Sequence, residues 1–162
     1  MNELYVLAEN CGRELDRRGL VLVTAESCTG GWIGEAVTMI PGSSAWYDRG
    51  FITYTNAAKQ QMLGVKAATL RRHGAVSEET VREMAAGALA ASGAQVAVSV
   101  SGVAGPAGGT ADKPVGTVCI CWARAGGEVR AETRRFAGDR EAVRRQSVIR
   151  ALQGVLEMVG GK

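Results

Sequence analysis

A three-layer α/β/α fold around a mixed, mostly parallel sheet is predicted by three features of the chain. Short apolar strands alternate with amphipathic helices, two glycine-rich loops each follow a strand, and two late strands are joined through Gly126-Gly127. The 162 residues suit one domain over 1–162, long enough to bury a core without disulfides or a metal.

The opening segment sets Leu4, Leu7, Ala8, Cys11 and Leu15 at helical spacing and stops at Arg17-Arg18-Gly19. Residues 20–24 form a β-branched run typical of a buried strand. Thr29-Gly30-Gly31 leads into a helix over 32–40, ended by Pro41-Gly42. Residues 46–55 read as a second strand, and a short helix through Lys59 and Met62 follows. His73 reads as the end of another short helix. Ser77-Glu78-Glu79-Thr80 resembles an N-cap with an acidic first turn, opening a helix to about Ser92. A third strand over 95–101 runs into the glycine loop 102–114. Strands over 115–123 and 128–136 form a hairpin, and a last helix covers 139–158.

With 46% hydrophobic and 22% charged residues the balance is that of a globular protein. Nineteen Lys and Arg against 16 Asp and Glu leave too small a surplus to argue for nucleic acid. No apolar run is long enough to span a bilayer, and no signal pattern opens the chain, so a reducing cytoplasm is the expected compartment. Cys11, Cys28, Cys119 and Cys121 lack zinc or disulfide spacing; a reaction without metal or cofactor is expected. Trp32, Trp46 and Trp122 are read as core packing ahead of stacking on a heteroaromatic ring, and exposed strand or tryptophan surface would support a homodimer.

The segment Thr24-Ala25-Glu26-Ser27-Cys28-Thr29-Gly30-Gly31 sets a hydroxyl in a strand-to-helix turn, where free backbone N–H groups can hold an oxyanion or a phosphate. The alternative is that Ser27 or Thr29 only caps the helix. A serine nucleophile needs a base. The single histidine, His73, lies in a polar stretch suited to a helix end. Lys59 follows a strand, in the first turn of a helix that Asn56 would cap. A helix start disfavours a cation, so a lysine there suits a neutral base, although exposed first-turn lysines without function also occur. Tyr54 points to the same pocket or belongs to the strand's packing. Cys28 is a rival nucleophile. The loop 101–110, with Ser101, Gly102, Ala104, Gly105 and Thr110, followed by Lys113, offers amides and donors to phosphate oxygens, unless it is a plain surface loop. It matches neither the P-loop nor the dinucleotide fingerprint.

Taken together, these blocks resemble the CinA C-terminal-domain family, which includes nicotinamide mononucleotide deamidases. The resemblance also rests on Pro41-Gly42-Ser43-Ser44, Arg49-Gly50-Phe51-Ile52-Thr53-Tyr54, Gly74-Ala75-Val76-Ser77, Ser101-Gly102-Val103-Ala104-Gly105-Pro106 and Lys113-Pro114-Val115-Gly116-Thr117-Val118. A larger N-terminal domain often precedes this one in the family, so the likeness is to the stand-alone form. The resemblance implies hydrolysis of the carboxamide of nicotinamide mononucleotide to nicotinate mononucleotide and ammonia, in pyridine nucleotide salvage, by a Ser27/Lys59 dyad. Tyr54 would orient proton transfer. Cys28, Thr29, Gly30, Gly31, Ser101, Gly102, Ala104, Gly105, Thr110, Lys113, Arg140 and Arg144 would contact substrate. An inactive nucleotide-binding module is the alternative, and a DNA-associated competence role rests on the family name and the C-terminal arginines alone.

Overall fold

The computed structural model describes residues 2–160. Helix α1 (Glu3–Arg17) is capped by the Asn2 side chain and buries Leu4, Ala8, Cys11 and Leu15, the stripe expected from their spacing. Strand β1 (Leu22–Glu26) is buried at every residue, and α2 (Trp32–Thr38) follows it. A 3₁₀ turn at Ser43–Ala45 precedes β2 (Tyr47–Ile52). Helices α3 (Asn56–Leu63), α4 (Ala67–His73) and α5 (Glu78–Ala90) come next, then β3 (Val96–Gly102). Strands β4 (Thr117–Arg124) and β5 (Val129–Arg135) form the hairpin, and α6 (Arg140–Met158) is capped by Asp139.

The sheet order is β2-β1-β3-β4-β5. β1 pairs parallel with both β2 and β3, while β4 runs antiparallel to β3 and β5. Four of the five strands therefore share a direction, which is the mixed, mostly parallel sheet that the alternating pattern implies. Leu22, Val96, Val98, Val100, Ile120 and Trp122 face α1, α2 and α6 in one core layer. Val23, Ala25, Ala97, Cys119 and Cys121 face Val81, Met84 and Ala85 of α5 in the other. The chain leaves β1 to one side through α2 and crosses back under the sheet through α3 to α5. The carboxyl ends of β2, β1 and β3 therefore converge at one edge, where open sheets bind ligands.

Several boundaries differ from the sequence expectation, each for a local reason. β1 starts at Leu22 instead of Leu20, because the Leu20 N–H closes the turn after α1 on Leu15 and the Val21 N–H is taken by the Gln95 side chain. β2 stops at Ile52 because the Thr53 and Tyr54 carbonyls turn toward Lys59. Thr55, not Asn56, caps α3. β4 starts at Thr117, since Gly116 takes a positive φ (97°) against the Phe136 carbonyl. Trp46 and Trp122 pack in the core, as the favoured reading has them.

Gly87 of α5 lies against the backbone of Leu63, the last residue of α3, the helix that carries Lys59. A methyl group at position 87 would overlap the Leu63 carbonyl. Gly87→Ala is expected to destabilise the fold by about 1–3 kcal/mol, because backbone cannot yield as a side chain would. Urea denaturation checks this, with the midpoint falling at unchanged slope.

Candidate active site

The turn from β1 into α2 is organised by a residue whose role the sequence reading missed. Glu26, the last residue of β1, is 1% exposed. Its carboxylate accepts hydrogen bonds from Thr29 Oγ1 (2.6 Å) and from the N–H groups of Gly31 (3.2 Å), Ile33 (3.0 Å) and Gly34 (3.0 Å). It does the capping expected of Ser27 or Thr29, and α2 has no side-chain cap at Gly31 itself. The available signal was an acid at the head of the short turn that leads into a helix start, where a negative charge is favourable. Gly31, at φ 105°, provides the left-handed step that folds the turn over the carboxylate.

With Glu26 holding the far side of the turn, Ser27 faces the carboxyl ends of the neighbouring strands. Its N–H donates to Val100 of β3, and its carbonyl accepts from Gly30. Lys59 reaches it from α3: Nζ lies 3.0 Å from Ser27 Oγ, 2.9 Å from the Thr53 carbonyl and 3.3 Å from the Tyr54 carbonyl. The lysine is 1% exposed and makes no salt bridge among the described residues. Burial pushes its pKa below the ordinary 10.5, because an ammonium loses hydration that two carbonyls replace only in part. Nζ donates to Ser27 Oγ, whose own hydroxyl donates to the Tyr54 carbonyl at 3.4 Å; once the amine is neutral, its lone pair can take that hydroxyl proton instead.

A cavity of about 310 Å³ opens above this pair. Ser101, Gly102, Ala104, Gly105 and Arg140 line it opposite Ser27 and Cys28. The N–H groups of Cys28, Thr29, Ala104 and Gly105 have no protein acceptor among the described residues. Arg140 donates to the Gly105 carbonyl (2.7 Å) and the Tyr54 hydroxyl (3.3 Å), tying the glycine loop to the second residue after β2. The Tyr54 ring is exposed at the mouth, so its hydroxyl meets Arg140 while its carbonyl meets Lys59.

Other residues singled out in the sequence lie elsewhere. Lys113 donates to the His73 carbonyl and lines a separate cleft with Arg72, Ser77 and Arg135. Thr110 is exposed, its hydroxyl accepting from the Lys113 N–H. His73 lies near Glu79 at 3.6 Å, away from Ser27. Thr29, Gly30, Gly31 and Arg144 line the outer face of the turn. Cys28 is buried, and burial pushes its thiol up to about 12, which leaves almost no thiolate to attack a carbonyl.

Residues 4–159 match the CinA C-terminal domain. The chain belongs to that family. It is 56% identical over 152 residues to nicotinamide-nucleotide amidohydrolase PncC of Escherichia coli K12, covering 94% of this chain and 92% of that protein. Identity to the protein of the same name from Pseudomonas putida is 54% over 158 residues, covering 98% of each. The fold matches the crystal structure of competence/damage inducible protein CihA from Agrobacterium tumefaciens with a TM-score of 0.95 and 45% identity, covering 98% of this chain and 96% of that one.

In this CinA domain the turn that presents Ser27 depends on Glu26. Glu26→Ala leaves one hydroxyl and three N–H groups without their acceptor. A loss on the order of 3 kcal/mol is expected, with a smaller loss for Glu26→Gln, which keeps one oxygen as acceptor. Thermal and urea unfolding of the two variants check the order.

Proposed function

We propose that the protein is a nicotinamide-nucleotide amidohydrolase that converts nicotinamide mononucleotide to nicotinate mononucleotide and ammonia with Ser27 as nucleophile and Lys59 as base. The observation that carries this reading is the 3.0 Å contact between Lys59 Nζ and Ser27 Oγ at the floor of the cavity. The relatives named nicotinamide-nucleotide amidohydrolase support the substrate class. The reading includes action in a reducing cytoplasm, within pyridine nucleotide salvage, and four buried free thiols are compatible with that compartment.

In this mechanism the Ser27 proton moves to Lys59 Nζ as Oγ attacks the carboxamide carbon. The N–H groups of Cys28 and Thr29 receive the tetrahedral oxyanion. Lys59, now an ammonium, returns the proton to the departing nitrogen, and ammonia leaves. Water then attacks the acyl-enzyme while Lys59 accepts its proton; as the carbon–Oγ bond breaks, Lys59 returns that proton to Ser27 Oγ, and the acid product ionises to the carboxylate. Arg140 and the N–H groups of Ala104 and Gly105 hold the phosphate across the cavity.

The test is turnover without added metal, following ammonia and nicotinate mononucleotide. Lys59→Ala is expected to lower kcat/KM by roughly 10²–10⁴-fold and Ser27→Ala at least as much. Cys28→Ala keeps most activity, and nicotinamide riboside, lacking the phosphate, is a far poorer substrate. Binding of the nucleotide by wild type without turnover would instead make the protein a binding module.

The pH profile follows from the buried lysine. Only neutral Lys59 accepts the serine proton, so kcat/KM rises about tenfold per pH unit below the lysine pKa and levels off above it. Because burial lowers that pKa, the plateau is reached below pH 10.5. Rates flat from pH 6 to 9 in wild type, measured at subsaturating substrate, would exclude a titrating base in that range.

A further inference from the structure

Cys28 lines the cavity beside Ser27, and the Cys28 and Thr29 N–H groups have no protein acceptor among the described residues, so their direction is set by what holds their peptide planes from behind. A trans peptide places its C=O and N–H on opposite sides, so a partner on a carbonyl sets the direction of the next residue's N–H. The Ser27 carbonyl, which shares its plane with the Cys28 N–H, accepts from Gly30. The Cys28 carbonyl shares its plane with the Thr29 N–H, and its partner among the described residues is Arg144, whose Nε donates at 3.0 Å. Arg144 Nη2 also donates to the Thr29 carbonyl at 3.2 Å, in the plane that carries the Gly30 N–H. The guanidinium therefore holds the Thr29 plane directly and supports the Cys28 plane through Gly30. It is itself held over the Trp32 ring, 5.4 Å from the centroid, so it spans the turn from Cys28 to the first residue of α2.

From this geometry we infer that Arg144 is a positioning residue that sets the oxyanion-binding amides of the nucleophile turn, and does not itself hold the substrate. This rests on the serine amidohydrolase reading above. A cation on a carbonyl also polarises its peptide, so the Thr29 N–H is a stronger donor than an ordinary amide. An arginine suits the task because two of its donors, at fixed spacing, meet two successive carbonyls, where a lysine would meet one. Arg140, one helical turn earlier, faces the cavity mouth, so one face of α6 addresses both the turn and the glycine loop.

The test compares wild type, Arg144→Ala and Arg144→Lys by steady-state kinetics on nicotinamide mononucleotide and by backbone amide NMR without substrate. Arg144→Ala is expected to lower kcat by roughly 10- to 100-fold, since misaimed amides serve the transition state poorly. KM and the pH at which the plateau begins stay within about twofold and a few tenths of a unit, because neither phosphate contacts nor Lys59 are touched. Millimolar guanidinium restores part of kcat to Arg144→Ala, and Arg144→Lys, which keeps the cation and one donor, lies between. In the NMR spectra the Thr29 amide moves in Arg144→Ala and returns with guanidinium, while the Ile33 and Gly34 amides, held by Glu26, stay in place. Unchanged kcat with an unmoved Thr29 amide, or a KM increase alone, would overturn the inference. Wild type without turnover but with the Thr29 shift would overturn the enzymatic reading and leave the positioning role standing.

Discussion

Everything at this site depends on how β1 ends. A strand buried on both faces would ordinarily finish on an apolar or small residue, and this one finishes on a carboxylate with four donors around it. Those donors include three N–H groups that a helix start otherwise leaves open. Glu26 thereby divides the amides of the turn into two sets. Gly31, Ile33 and Gly34 are spent on structure, while the Cys28 and Thr29 N–H groups keep no protein acceptor among the described residues. A helix capped by Ser27 would have turned the hydroxyl inward and left no nucleophile.

The second constraint is the early end of β2. A continuing strand would send successive carbonyls to opposite edges, so the Thr53 and Tyr54 carbonyls could not both meet Lys59. Leaving the sheet after Ile52 costs little pairing at an edge strand and supplies both carbonyls to the amine. The Ser27 hydroxyl completes three oxygen neighbours around the amine, and it is burial that works against the charged form.

The fold was legible in the sequence because hydrophobic period and turn chemistry agree along most of it: the α1 stripe, the Ser77 cap and the Gly126-Gly127 hairpin all lie where their patterns place them. Ser27 and Lys59 were legible as candidates, but their contact joins residues 32 positions apart and depends on the sheet order, which local pattern does not encode. Glu26 was passed over because a buried acid in a strand looks like surface until its donors are assembled. Lys113 stood out by its place after a glycine-rich loop, yet that loop folds so that its amine meets His73 in another cleft. Loop side chains are set by tertiary contacts, and spacing carries little information about them.

Ser27 and Cys28 are adjacent, and a thiol is the stronger nucleophile once ionised, so the proposal of serine as nucleophile needs a physical reason. Desolvation provides it, acting with opposite sign on acids and bases. Burial disfavours the charged lysine and pushes its pKa down; the same burial disfavours the charged thiolate and pushes Cys28 up to about 12. A dry site therefore makes Lys59 a better base and Cys28 an inert side chain at once. Serine does not depend on being ionised beforehand, because its proton leaves only as the bond to carbon forms. A wetter site would reverse both effects, protonating the lysine and freeing the thiol. In the proposed mechanism, enclosure by β1, β3 and α3 is thus what assigns the chemistry to a hydroxyl and an amine.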